Sequence, residues 1–234
     1  MINRRSLRVK VLQLLFSYYN QVIHKQDKKK LQLEISKQLN KSILDIEKSY
    51  YDIISLLIVF KNINEEKKMI AEDELIKKSA LRFNLSKNSI INFLETNSSV
   101  IDGLIKHKNG WSPKTEKIRN WYNILLQQEF YKTYISIEQP SFDEDYDFLQ
   151  NLILKFLFKY EDIQKSFEEE NIFWSEDFLI VKSMIKKTLK TLNSSNFNTF
   201  ATASLSEDIK DDVKFACSLF DCVINNSSEY DGHI

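Results

Sequence analysis

The scarcity of glycine and proline is the feature that most constrains how this chain folds. Only 3 glycines and 2 prolines occur among 234 residues, against averages of about 7% and 5% in soluble proteins. Tight β-hairpin turns depend on glycine, so a sheet of hairpins is a poor candidate for this chain. The same scarcity excludes glycine-rich phosphate loops and dinucleotide-binding fingerprints. We therefore expect an all-α protein built from long helices.

Apolar residues repeat at helical spacing along most of the chain. The first helix is predicted from about Arg4 to about Ile23, with Asn3 as its N-cap. Ser112 is the predicted N-cap of a later helix that begins at Pro113. The other predicted helices cover residues 31–62, 65–80, 113–137, 143–160, 176–192 and 207–224, with short pieces over 81–109 and a last helix beginning near 228.

Charge is balanced over the whole chain but segregated along it. The 33 basic and 33 acidic side chains give a formal net charge of +0, so bulk charge predicts no nucleic-acid partner. The first 26 residues, however, contain no acidic side chain. Acidic residues cluster mainly between Glu138 and Asp177. Any prediction of nucleic-acid binding therefore depends on the N-terminal segment.

Three arginines lie at the predicted start of the first helix. The apolar stripe of this helix begins at Leu7, after Arg4 and Arg5 and just before Arg8. Positive charge at a helix N-terminus opposes the helix dipole by about 0.3–1 kcal/mol, and a bound anion would relieve that conflict. Arginine also suits forked contact with phosphate and stacking on unpaired bases. The pattern indicates an RNA contact, and an ordinary solvated helix start is the alternative.

Several other classes of protein are poorly supported. The longest apolar candidate, Ile53 to Phe60, is far shorter than the roughly 18–20 residues of a membrane span. The charged, amphipathic N-terminal segment has no small-residue cleavage site and is not typical of a secretory signal. We therefore expect a cytoplasmic protein with no membrane contact. Trp111, Trp121 and Trp174 are interpreted as core anchors rather than base-stacking platforms.

Enzymatic chemistry has no constellation of residues to support it. His24, His107 and His233 are far apart and share no spacing with cysteines or carboxylates. Cys217 and Cys222 are five residues apart on a predicted helix, a spacing that misaligns them for metal ligation. We interpret them as small buried apolar residues, reduced in a cytosol. The prediction is a protein that is not an enzyme, with no catalytic residue, metal or cofactor.

Residues 3–19, which read NRRSLRVKVLQLLFSYY, resemble the opening helix of the transcription antitermination factor NusB family. The shared pattern is two or more arginines, then arginine with apolar residues, then glutamine, a small or apolar pair and an aromatic residue. Residues 172–178 and 181–190 resemble the long form in Bacteroidetes-type bacteria, which carries an insertion after the first helices. Residues 215–234 resemble the helix that closes the first half of the family fold, and residues 60–140 match only loosely.

The resemblance implies a helical bundle of NusB type with a helical insertion. The implied divisions are residues 1–62 for the N-terminal helices with their arginine-rich start, 63–175 for the insertion, and 176–234 for the continuation of the bundle. The family continues with a second group of helices that ends in an Asn-Gly-Val-Leu-Asp-Lys-like motif. Those helices are not in this sequence, so we expect a truncated second lobe and an uncovered apolar face at Leu219, Phe220 and Val223.

The function implied by the resemblance is that of an adaptor. The family binds single-stranded boxA RNA together with NusE, a small-subunit ribosomal protein, and helps the RNA polymerase elongation complex transcribe ribosomal RNA operons by antitermination. The alternative is a non-enzymatic helical protein-interaction module without RNA binding, in which the arginines bind an acidic partner. The residues carried over are Arg4, Arg5 and Arg8 as contacts to phosphates and bases, Gln13 and Phe16 for hydrogen bonding or stacking, and Lys10 as at most an electrostatic helper.

Overall fold

The computed structural model of the chain describes residues 2–22, 27–73, 83–107, 111, 114–192, 197 and 199–226. Every regular element in these ranges is helical, which confirms the all-α prediction. The helices are α1 (Arg4–Val22), α2 (Lys28–Asp73), α3 (Asn84–Lys87), α4 (Ser89–Thr96), α5 (Ser98–His107), α6 (Thr115–Leu125), α7 (Glu129–Ser136), α8 (Phe142–Asn151) with a π-helical extension (Leu152–Leu157), α9 (Glu161–Glu170), α10 (Trp174–Lys190) and α11 (Ile209–Asn225).

α2 is one continuous helix of 46 residues, whereas the sequence pattern predicted a break between residues 62 and 65. No glycine or proline lies there to end the helix. Ile63 and Asn64 are both buried, and the Asn64 side chain donates to the Tyr122 hydroxyl at 2.8 Å. Tertiary contacts therefore hold this part of α2 in helical conformation, and the predicted break is wrong.

The helix predicted over residues 113–137 is two helices, α6 and α7. Gln128 adopts an extended conformation before α7, and backbone hydrogen bonds from Gln127 to Ile124 and from Gln128 to Leu125 close the turn. The break lets α7 bury Tyr131 and Tyr134. The predicted N-cap at residue 112 and the last predicted helix, near residue 228, lie outside the described residues.

Two short helical features were not predicted from the sequence. The helix expected over 143–160 is α8 followed by its π-helical extension, where the Phe158 N–H donates to the Ile153 carbonyl. α9 buries Ile163 and Phe167 and leaves its three consecutive glutamates exposed. α10 and α11 lie within two residues of their predicted bounds.

The chain divides into two compact units, neither of which is continuous in sequence. Unit 1 comprises residues Met1–Lys48, Phe173–Ile185 and Ala203–Ile234, and unit 2 comprises Ser49–Ile172 and Lys186–Thr202. Unit 1 contains α1 and α11, and unit 2 contains α7 and α8.

In unit 1, α1 packs against α11. Tyr18 and Phe220 meet edge to face with ring centroids 6.2 Å apart, and the Ile2 N–H donates to the Leu205 carbonyl at 3.0 Å. Phe220 is fully buried. The expectation that the apolar face of α11 is uncovered is therefore wrong for Phe220, because Tyr18 covers it, while Leu219 and Val223 are half-buried.

The three tryptophans are buried, as predicted. In unit 2, Trp111 and Trp121 pack edge to face, and the Trp111 Nε1 donates to the Asp52 carbonyl at 2.9 Å. The interpretation of the cysteines as buried is wrong for Cys222, which is exposed, while Cys217 is half-buried. On α11, Cys222 lies roughly opposite the buried Ala216 and Phe220, whereas Cys217 lies at the edge of their face, which accounts for the difference. None of the described helices has the length and apolar character needed to cross a membrane.

Candidate nucleic-acid interface

α1 carries its exposed side chains on one face and its core side chains on the other. Leu7, Val11, Leu14, Leu15 and Tyr18 are buried. At 100° per residue, the opposite residues fall within an arc of about 100°. We call this strip the exposed face of α1, and it consists of Arg5, Arg8, Val9, Leu12 and Phe16.

The start of α1 is held firmly by its cap. The Ser6 N–H donates to Asn3 Oδ1 at 2.9 Å, as the sequence predicted. This bond satisfies one of the four N–H groups that lack a partner in the first turn of a helix. The arginines of the first two turns therefore project from a capped helix start.

Arg4 is bound to α11 within unit 1. Its Nη2 lies 2.9 Å from Asp211 Oδ2, and its Nε lies 3.9 Å from Asp212 Oδ1. Its guanidinium also lies 4.1 Å from the centre of the Phe215 ring. A carboxylate of the protein thus supplies the anion that we expected near this helix start. Because the Arg4 side chain is still 45% exposed, only part of it is open to a ligand.

Arg5 and Arg8 are both exposed. Among the described residues, neither guanidinium forms an ion pair or a hydrogen bond with another side chain. The two residues are three apart, so they lie one helical turn from each other on the same side of α1. They form the part of the predicted basic cluster whose charge is fully available to a ligand.

Phe16 and Leu12 extend the exposed face towards the C-terminal end of α1. Their exposed fractions are 72% and 67%, which are high values for large apolar residues. Phe16 lies about 12 Å along the helix axis from Arg8, at 1.5 Å per residue. An exposed aromatic ring at that distance from two cations can stack on a base whose neighbouring phosphates contact the arginines.

Gln13 and Lys10 do not belong to the exposed face. Gln13 is half-buried and its Nε2 donates to Glu176 Oε1 on α10 at 3.0 Å. Lys10 is buried, and its ammonium pairs with the carboxylate of Asp177. The expectation that Lys10 assists electrostatically is therefore wrong, because its charge is neutralised away from solvent. The Gln13 Nε2 and the Lys10 ammonium are thus both used in contacts between α1 and α10.

Sequence reasoning did not select two members of the exposed face, Val9 and Leu12. On a helical projection Leu12 lies between Arg8 and Arg5, and Val9 lies about 20° beyond Phe16, so their angular positions were the signal that could have identified them. In the part of the chain that the structure describes, no cluster of His, Cys, Asp and Glu side chains could hold a metal ion.

Comparisons with known proteins identified no relative: no family model matches the chain, and neither a curated protein nor a solved structure shows significant similarity to it. Membership of the NusB family therefore stays a prediction, and it depends on the residues of α1 and on the later segments quoted above.

Proposed function

We propose that this chain binds single-stranded RNA through the exposed face of α1 and acts as a transcription antitermination factor of NusB type. In this role it recognises boxA-type RNA together with the ribosomal protein NusE and promotes antitermination in ribosomal RNA operons. The observation that supports the proposal most directly is the exposure of Arg5 and Arg8, without acidic partners in the described residues, on the same helix face as Phe16.

The residues of this face have distinct roles in the proposal. Arg5 and Arg8 contact phosphates, which releases counterions and gives binding its salt dependence. Phe16 stacks on an unpaired base, a contact that contributes about 1–3 kcal/mol. Arg4 and Gln13 have secondary roles because Asp211 and Glu176 already occupy part of their hydrogen-bonding capacity.

The test is a titration of boxA-type single-stranded RNA, followed by fluorescence anisotropy at several salt concentrations. The variant with both Arg5→Ala and Arg8→Ala should bind more weakly. Because each phosphate contact on a single strand contributes about −0.7 to the log–log salt slope, the magnitude of that slope should fall by about 1.4. Phe16→Ala should weaken binding with little change in slope, because stacking releases no counterion.

Arg119→Ala is the matched control, because it removes an exposed arginine of α6 that pairs with Glu66 in unit 2. This variant should bind RNA as the unmodified chain does. If the double arginine variant keeps the affinity and the salt slope of the unmodified chain, the exposed face of α1 does not bind RNA and the proposal fails.

A protein-interaction module without RNA binding is the second candidate. The observation in its favour is the exposure of Leu12 and Phe16 beside two arginines, because apolar residues flanked by arginine are typical of protein interfaces. Leu12→Ser distinguishes the two functions, because it removes the apolar side chain without placing a negative charge beside Arg8. It should weaken docking of a protein partner such as purified NusE, whereas RNA binding should depend on Arg5 and Arg8 and change far less.

A further inference from the structure

A cleft of about 340 Å³ lies between α7 and α8 in unit 2, on a part of the chain that the proposed function does not use. Its volume falls within the range of small-molecule sites, about 300–1,000 Å³. Apolar and acidic side chains line it together, and none of its lining residues is basic. The lining residues that matter for its chemistry are Phe130, Tyr134, Ile137, Phe148, Glu144 and Asp147.

Three aromatic rings form the apolar part of the cleft. Tyr134 and Phe148 are stacked with centroids 4.0 Å apart, and Phe130 lies against Phe148 at 5.9 Å. Phe148 and Tyr134 are nearly buried, whereas Phe130 is half-buried. Because Tyr134 and Phe148 cover one face of each other, the half-buried ring of Phe130 is the main exposed aromatic surface of the cluster. The face of an aromatic ring carries negative electrostatic potential and attracts cations that are only weakly hydrated.

The Tyr134 ring is held in place from its hydroxyl end. The hydroxyl donates to Asp145 Oδ1 at 2.5 Å and accepts from the Asn88 side chain at 3.1 Å. Asp145 Oδ2 accepts from both the backbone N–H and the hydroxyl of Ser89. These bonds use the polar groups of Tyr134 and Asp145 internally, so the ring of Tyr134 and not its hydroxyl contributes to the cleft.

Two carboxylates lie one turn apart at the edge of the cleft. Glu144 accepts from the backbone N–H and the hydroxyl of Ser141 through Oε2, at 2.7 and 2.8 Å. These hydrogen bonds lower the pKa of Glu144 and favour its charged form at neutral pH. Asp147 is exposed, and its carboxylate pairs with no cation among the described residues. Glu144 and Asp147 therefore line the cleft without a cationic side chain of the protein among its lining residues.

We propose that the cleft between α7 and α8 binds a small aliphatic ammonium ion. The cationic head contacts the aromatic cluster, and Glu144 and Asp147 neutralise its charge. Neutral ligands of the same shape gain only the apolar contact, and anions are repelled by both carboxylates. The combination of ring faces and carboxylates in one cleft thus selects for charge as well as for size.

The test uses choline as the probe and 3,3-dimethylbutan-1-ol as its neutral counterpart, which has carbon in place of the quaternary nitrogen. Calorimetry and amide correlation NMR on the full, isotope-labelled chain measure binding of each. Choline should bind more tightly than the alcohol, and amide shifts should concentrate in α7 and α8. Equal affinity for the two compounds, or no binding of choline, would overturn the proposal.

Variants identify the cleft as the binding site. Asp147→Asn and Glu144→Gln should each weaken choline binding about two- to fivefold, the effect of one exposed charge contact, and leave the alcohol unaffected. Glutamine at position 144 preserves the capping box with Ser141. Phe130→Leu should also weaken choline binding, because it removes a half-buried ring and keeps the apolar volume.

Asp143→Asn is the matched control for charge, because Asp143 is exposed on the same helix but does not line the cleft. It should leave choline binding unchanged. If Asp143→Asn weakens binding as much as Asp147→Asn does, the probe responds to the overall acidity of α8 and the cleft is not its site. These outcomes are independent of any result with RNA.

Discussion

Lys10 and Asp177 form an ion pair in the interior of unit 1. The Lys10 Nζ lies 2.8 Å from Asp177 Oδ1 and 2.9 Å from Oδ2, and the two side chains are only 2% and 1% exposed. The ammonium also lies 4.6 Å from the centre of the Phe173 ring. The pair links α1 to α10 from within the apolar side of α1, where Leu7 and Leu14 are its neighbours on the helix.

Replacing Lys10 by methionine should strongly destabilise unit 1. The substitution keeps an unbranched side chain but leaves the Asp177 charge buried without its partner, which typically costs about 3–5 kcal/mol. Urea unfolding, followed by circular dichroism, should show a lower midpoint. Lys37→Met is the matched control, because Lys37 is an exposed lysine of α2 in the same unit, and it should change the midpoint little.

A second substitution tests whether the uncompensated charge is the cause. Lys10→Met combined with Asp177→Leu removes both charges, and replacing a buried pair by apolar groups is often neutral. The double variant should therefore recover most of the lost stability. If the double variant is as unstable as Lys10→Met alone, lost packing rather than an unpaired carboxylate explains the effect.

Asp45 should make stability depend on pH. Burial raises the pKa of its carboxyl and Asp177 raises it further, while Lys41, Lys48 and Lys10 lower it by less than the combined rise. Between the ordinary pKa of 3.8 and the raised value, the folded state binds more protons than the unfolded state. The contribution of Asp45 to stability therefore falls as pH rises through this window.

The variant Asp45→Asn should accordingly be more stable than the unmodified chain at pH 7, and the gain should disappear near pH 3. Urea unfolding at both pH values measures the difference. Asp102→Asn, which changes an exposed carboxylate of α5, should show no such pattern. A loss of stability in Asp45→Asn at pH 7 would mean that its attraction to the lysines outweighs its burial.

Gly103 in α5 should not tolerate alanine. A Cβ at this position would lie 2.0 Å from Tyr51 Cε1 and 2.1 Å from its Cζ. The Tyr51 ring is confined by Tyr50, at 4.9 Å, and by His107, which stacks on it at 5.3 Å. Overpacking of this kind costs about 1–3 kcal/mol, whereas glycine to alanine in an unobstructed helix gains up to about 1 kcal/mol.

The sign of the change in the unfolding midpoint therefore shows whether the clash with Tyr51 outweighs the higher helix propensity of alanine. Thermal unfolding of Gly103→Ala should show a lower midpoint than that of the unmodified chain. In a Tyr51→Ala background, which removes the obstructing ring, the same substitution should be neutral or stabilising. Stabilisation in the unmodified background would show that the ring yields easily.

The arginines of α1 should differ in their contribution to RNA binding. Arg4 is paired with Asp211, so Arg4→Ala should reduce RNA affinity less than Arg5→Ala or Arg8→Ala does. Asp211→Asn should increase affinity, because it frees the guanidinium of Arg4 and removes a nearby negative charge. Anisotropy titrations at one salt concentration compare the four variants. An equal loss for all three arginine variants would show that the ion pair opens when RNA binds.

Part of this architecture follows from local sequence signals. The all-α class follows from the low glycine and proline content, and the bounds of α1 follow from its cap at Asn3 and its apolar stripe. Burial of the tryptophans follows from their large apolar surface. These features depend on residues within a few positions of one another, so a reading of the sequence can recover them.

The cleft of unit 2 was not predicted, although its residues are close in sequence. Its shape depends on the turn at Gln128 and on the hydrogen bonds that hold Tyr134 to Asp145 and Asn88. The sequence pattern favoured a continuous helix through Gln128, on which Phe130 and Tyr134 would have faced elsewhere. The helical repeat of apolar residues therefore did not predict this turn, because burial of the tyrosines sets its conformation.

By itself, the sequence determined that the chain is helical and that a cluster of arginines lies at the start of its first helix. Only the tertiary structure decided which of these cations are available to a ligand. Arg4 meets a carboxylate 207 residues away and Lys10 meets one 167 residues away, and no local pattern specifies such partners. Arg5 and Arg8 remain exposed because the helix turns them away from the core, whereas folding neutralises the charges that it brings against α10 and α11.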